Sequence, residues 1–112
     1  MNNTTHTPGP WYPHYAKADH CLSSSVWGQE PGNQVAVIGG KSLQTMNANA
    51  ALIAAAPAMY LELKEGLVLL EASHHDVVYL YGIDSLQAKT VWERIESTRN
   101  ALAQADGEGI LP

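Results

Sequence analysis

Residues 47–70 read NANAALIAAAPAMYLELKEGLVLL, and they decide the fold. Leu52, Ile53, Ala56, Tyr60, Leu63, Leu67 and Leu70 recur at spacings of three and four. An apolar stripe held in that phase for about five turns is helical. Two residues cut across it. Pro57 removes a backbone donor and crowds the preceding turn, which places a kink or break at Ala56. Gly66 costs about 1 kcal/mol relative to alanine in a helix interior. The stripe keeps its phase through both, so the stretch reads as one kinked helix or two nearly continuous ones. Thr45, Asn47 and Asn49 are the candidate caps at its start.

Toward the C-terminus, residues 74–83 (HHDVVYLYGI) are ambiguous. Val77, Val78, Tyr79 and Tyr81 favour a strand, and an ordered loop between helices fits equally well. A second helix follows. Asp84 is its expected cap, with Gln87 reaching back in the manner of a capping box. Ala88, Val91, Trp92, Ile95, Thr98 and Leu102 make its buried face, and Gly107 is its expected stop. Two amphipathic helices with a short connection pack antiparallel.

Toward the N-terminus, residues 22–28 and 34–38 read as two strands of a hairpin. Pro31 and Gly32 supply the two central residues of a type II turn, and Gly39-Gly40 ends the pair. Trp11, Tyr12, His14 and Tyr15 form an edge strand, because Pro13 excludes a central position. Residues 1–10 read as a flexible tip. The expected fold class is α+β: a small N-terminal antiparallel sheet, a kinked helix, and a C-terminal helix packed against it. Residues 11–112 are expected to form one domain.

Composition narrows the function classes. Apolar residues make up 46 % and charged residues 15 %, which is a folding composition. Net charge is −5, and the six basic residues Lys17, Lys41, Lys64, Lys89, Arg94 and Arg99 are scattered. Duplex nucleic acid, which needs a basic face, is not an expected partner. No charged-then-apolar signal segment opens the sequence and no apolar run approaches the roughly 18 residues of a membrane span. A cytosolic protein is expected. Cys21 is the single cysteine, so no intramolecular disulfide forms.

Reactive chemistry is thinly supported. His20-Cys21 and His74-His75 are adjacent pairs, and adjacent strand residues point to opposite faces. With no C-x-x-C or H-x-x-x-H, a metal site is not expected. Cys21 lacks an activating frame, and Ser23, Ser24 and Ser25 lack a nucleophile-elbow pattern. Gly39-Gly40-Lys41-Ser42 resembles the end of a phosphate loop without its leading glycine. Glu62 and Glu65 read as a solvated helix face. Trp92 reads as core and Trp27 as packing, while Trp11 is open between packing and stacking on a base. The expectation is a binding protein with neither catalysis nor cofactor.

Two blocks carry a resemblance. Thr7-Pro8-Gly9-Pro10-Trp11, followed by a strand region ending in Val35-Ala36-Val37, and the run from Asn47 to Pro57 together resemble a widespread group of small phage and prophage proteins. The resemblance spans most of the chain. Ala51 stands where the group often has a basic residue, and the connection from His74 to Ile83 is longer and more aromatic than usual. The layout is also similar to that of the Thoeris anti-defence sponges. That similarity implies a counter-defence protein, cytoplasmic in the infected bacterial host, that sequesters a cyclic nucleotide or cyclic ADP-ribose-type signal. It implies a homo-oligomer with the ligand between protomers. Asn47 or Asn49 and Lys64 would hold the nucleotide, with Trp11, Arg94 and Arg99 recessed around it. Helix N-termini and amides suit phosphates and base edges, although helix capping alone also explains the asparagines. The alternative is a protein-binding inhibitor of a host defence complex, anti-CRISPR-like in kind, suggested by the acidic balance and an expected exposed apolar strip.

Overall fold

The computed structural model describes residues 6–17, 23–29 and 32–108. His20, Cys21 and Pro31 lie outside the described residues. The chain is α+β, as its patterning indicates. Three strands, β1 (Tyr12–His14), β2 (Ser24–Trp27) and β3 (Gln34–Ile38), precede three helices, α1 (Leu43–Ala54), α2 (Ala56–Tyr81) and α3 (Leu86–Ala105). The chain divides into two compact units, Thr5–Met59 and Tyr60–Pro112.

The first unit is a sheet covered by one helix. Its strands are antiparallel in the order β1-β2-β3. β1 occupies an edge, where Pro13 costs no ladder bond that a central strand would need. Pro13 lies opposite Val26. On the other side, Val26 pairs with Ala36 and Trp27 with Gln34, so Val35 is the extra residue of a bulge. Gly32 has positive φ, in keeping with a turn there.

Alternation along β2 sends Ser24 and Val26 to one buried face and Ser25 and Trp27 to the other. Val26 meets Ile38 and Ala50, and Ile53, Ala54, Val35, Ala36 and Trp11 pack around them. Met46, Ala50 and Ile53 fall one turn apart on α1, which explains why that helix lies on the sheet. The Thr7–Trp11 segment closes the unit. The Trp11 indole N–H donates to the Thr7 carbonyl at 3.0 Å, and Gly9 lies against Pro57.

Local details differ from the patterning in four places. Ser42, not Thr45, Asn47 or Asn49, caps α1: its hydroxyl accepts from the Thr45 amide at 3.1 Å. The helix therefore begins four residues before Asn47. Ser85, not Asp84, caps α3 by accepting from the Ala88 amide at 3.1 Å. Residues 74–81 are neither strand nor loop but the last two turns of α2. The stripe simply continues through Leu67, Leu70, His74, Val77 and Tyr81, and helical packing overrides the strand preference of valine and tyrosine. Trp92 is 40 % exposed and is not core.

The second unit is a helical hairpin. α1 and α2 meet at Ala55, which stays in the αR region with its amide on the Ala51 carbonyl, so the interruption before Pro57 is slight. Pro57 sits in the first turn of α2, where a missing N–H costs nothing. Gly66 passes inside α2 without a break. α2 ends at Gly82, whose φ of 93° reverses the chain as few other residues can. The two helices pack antiparallel. Tyr60 pairs with Asp106, Glu71 with Arg99 and His74 with Trp92, so the numbering falls on one helix as it rises on the other. Ala88 and Ile95 are buried, while α2 buries no residue fully.

Candidate functional site

The six residues singled out from the sequence are all among the described residues. Trp11, Asn47 and Asn49 belong to the sheet unit. Asn47 is committed to the fold. Its Oδ1 accepts from the Ala16 amide at 3.0 Å and from the Ser24 hydroxyl at 2.6 Å. Its Nδ2 donates to the Ala16 carbonyl at 3.0 Å. The Ser24 hydroxyl in turn accepts from the Ala16 amide at 3.1 Å. This network ties α1 to the segment after β1 and satisfies Ser24, which is fully buried. Asn49 is exposed on α1, and the Trp11 N–H is engaged within its own segment.

Lys64, Arg94 and Arg99 belong to the hairpin. The Lys64 ammonium lies 5.2 Å from the Tyr60 ring centroid. Arg99 donates to Glu71 Oε2 at 2.6 Å and stands 5.3 Å from the Trp92 ring. Arg94 is exposed. Within each unit, no hydrogen bond or ring contact joins these candidates to one another.

What the hairpin does bring together lies at its turn. A cleft of about 400 Å³ is lined by His74, Ile83, Ala88, Lys89, Trp92 and Glu93. Ala88, Lys89, Trp92 and Glu93 share one arc of α3, being one turn apart in pairs. His74 comes from α2, and its ring meets that of Trp92 at 5.4 Å with a 47° tilt. The Trp92 N–H donates to the Glu96 carboxylate, which fixes the indole's orientation. Arg99 holds the indole from beyond the cleft. The result is a mostly apolar wall with an ammonium, an imidazole and a carboxylate at its rim. Its volume falls within the range of small-molecule sites. Such a wall can stack a planar ring while Lys89 attracts an anionic group.

The sequence marks Trp92 as core and gives no sign that His74, Lys89 and Glu93 line a cleft with it. Lys89 and Glu93 flank Trp92 at helical spacing, a signal present in the sequence. His74 required the register of α2 against α3, which is invisible while residues 74–83 read as strand or loop. Among the described residues, no group of three or more His, Cys, Asp or Glu side chains is placed to hold a metal ion. No described helix is long and apolar enough to cross a membrane.

A three-stranded sheet carrying one helix, followed by an antiparallel hairpin with a cleft at its turn, defines a small α+β protein. The chain belongs to the family of Salmonella phage P22 protein Y8K6, whose family model matches residues 1–109. It is thus a phage protein family member over nearly its whole length. No curated protein and no solved structure matches it.

Proposed function

We propose that this protein is a non-catalytic phage binding protein that sequesters a small nucleotide signal of host immunity, of the cyclic nucleotide or cyclic ADP-ribose type. The observation that carries this reading is the cleft at the α2–α3 turn. Trp92 and His74 offer ring faces to a nucleobase, and Lys89 offers a cation to a phosphate. The ligand-holding role moves from Asn47, whose three bonds are internal, to the α3 arc. Arg99 then acts behind the indole, holding the ring plane. Membership in a phage family supports a target in the infected host.

The test is a melting-temperature panel of cyclic dinucleotides and cyclic ADP-ribose isomers on the full chain. A ligand at 100 times its dissociation constant adds about 2.7 kcal/mol, a shift on the order of 10 °C for a domain of about 100 residues. The expected result is a shift with one member, intact ligand recovered afterwards, and loss of the shift in Lys89→Ala and Trp92→Ala. Absence of any shift across the panel rejects the reading. Ligand turnover rejects the non-catalytic part of it.

A protein-binding inhibitor of a host defence complex is the second reading. It is favoured by the exposed Tyr79, Leu80 and Tyr81 near the end of α2. It expects tight capture of one host protein and no nucleotide-dependent shift.

A further inference from the structure

α2 carries two apolar faces, and α3 accounts for one of them. Tyr60, Leu63, Leu67, Leu70, His74 and Val77 lie on the α3 side. Leu61, Val68, Ala72 and Tyr79 lie on another, with Glu65 and His75 within about 40° of it on either side. The four on the line are separated by seven, four and seven residues, a pattern that returns to within about 20° of one line on a 3.6-residue helix. This second line is open to solvent: Leu61 is 55 % exposed, Val68 65 % and Tyr79 85 %. Leu69 and Leu80 flank it and are also exposed.

We propose that this second face is a homodimer interface, in which two copies pair α2 against α2 antiparallel across a two-fold axis near Leu70. The occupant is a second copy of this chain for three reasons. First, the line is its own complement. About a centre at residue 70, Leu61 falls opposite Tyr79 of the other copy and Val68 opposite Ala72, large against large and small against small. A two-fold interface requires this self-matching, and a face meant for an unrelated partner has no reason to show it.

Second, the exposure is concentrated. Leu61, Val68 and Tyr79 on the line, with Leu69 and Leu80 beside it, are each more than half exposed, whereas exposed apolar residues on a monomer are ordinarily scattered singly. Third, the hairpin's own core is small, with Ala88 and Ile95 its buried side chains among the described residues. α3 covers one side of α2, and none of the 26 residues of α2 is fully buried. Two hairpins joined through α2 form a four-helix assembly that supplies the missing inner layer.

The experiment is sedimentation velocity on the full chain across a micromolar dilution series, with a cross-link as independent readout. Wild type is expected to sediment as a dimer. Val68→Glu is expected to sediment as a monomer at the same concentrations, while Thr90→Glu on the exposed side of α3 stays dimeric. In a Cys21→Ser background, Val68→Cys combined with Ala72→Cys is expected to give, on oxidation, disulfides joining position 68 of one chain to position 72 of the other. Peptide mapping reads this even if Val68→Glu fails to fold. A wild-type monomer throughout the series overturns the proposal, including one that captures a host protein through this face. So does a dimer cross-linked 68 to 68, which is parallel, or a dimer that forms no 68-to-72 link. The nucleotide reading does not enter any of these outcomes.

Discussion

The Tyr60 hydroxyl donates to Asp106 Oδ1 at 2.7 Å, joining residues 46 apart in sequence. Tyr60 stands in the second turn of α2 and Asp106 caps the end of α3. The bond therefore fastens the open end of the hairpin, opposite its turn. The Asp106 carboxylate, accepting this bond, disfavours a second negative charge on the phenol. Partial burial and the charges of Asp106 and Glu108 act in the same sense, so the Tyr60 pKa is raised above 10.

A group whose pKa is raised by folding stabilises the folded state below its unfolded value and loses that contribution as pH rises through its folded value. Tyr60 therefore supports the hairpin at neutral pH and ceases to do so in alkali. Ultraviolet titration of the wild type should show one phenol ionising later than the others. Asp106→Asn should bring that phenol back toward 10. Tyr60→Phe should lower stability by about 1 kcal/mol at neutral pH and abolish the late phase. A late phase persisting in Tyr60→Phe would assign it to another tyrosine.

Asn47 supports a sharper expectation, because its side chain makes three bonds around one half-buried amide. Asn47→Ala leaves the Ala16 backbone and the buried Ser24 hydroxyl short of partners. The expected cost is about 2–4 kcal/mol, since an unsatisfied buried group costs about 1–3 kcal/mol. Asn47→Asp replaces the donor to the Ala16 carbonyl with an acceptor and should cost at least as much. Denaturant unfolding measures both. If ligand affinity per folded molecule is unchanged while stability falls, Asn47 is structural. If affinity falls with stability intact, the asparagine belongs to the ligand site after all.

These particulars show where the sequence was legible. β3 is the five residues QVAVI that its alternation marks, and Pro13 put β1 on the edge. The helical stripe gave the hairpin. What escaped was register. Ser42 sits behind a Gly-Gly-Lys turn that looks like the end of a strand, so the polar residues downstream of it read as the better caps. Asn47 consequently falls in the second turn of α1, aimed at the sheet, where spacing alone suggests a helix end. Trp92 shares a stripe with Ala88 and Ile95 but lies at its margin, and a large ring at a margin reaches the surface. The cleft follows from a pairing of α2 with α3 that no local pattern encodes.

Arg99 tests whether the cleft wall depends on the residues behind it. Its ion pair with Glu71 joins two side chains that are each nearly half exposed. Pairs of that kind contribute about 0–1 kcal/mol, so Arg99→Ala should leave the melting temperature nearly unchanged. The indole, however, loses one of the groups that hold it, Glu96 and the His74 ring being the others. Fluorescence quenching by acrylamide should therefore increase in Arg99→Ala, measured in a Trp11→Phe, Trp27→Phe background so that Trp92 is the sole emitter. A large drop in melting temperature with unchanged quenching would mean that the arginine holds the helices together rather than the ring.

Gly9 makes the least forgiving contact in the sheet unit. A Cβ placed there would stand 2.7 Å from the Pro57 Cβ and 3.2 Å from its Cγ. Separations under 3.0 Å between carbons require something to move, and Pro57 is a rigid ring at the start of α2. Gly9→Ala should thus push the Thr7–Trp11 segment away from the helix junction, as overpacking does elsewhere, at a cost of about 1–3 kcal/mol. Alanine also restricts the unfolded chain, which offsets less than about 1 kcal/mol of that. The two effects separate by a second substitution. Pro57→Gly removes both ring atoms that the new Cβ would meet. Gly9→Ala combined with Pro57→Gly should therefore be less destabilised than the sum of the single changes, by about 0.5–3 kcal/mol of coupling in a double-mutant cycle. Strict additivity would mean that Gly9 is required for its own backbone conformation and not for the close approach of Pro57.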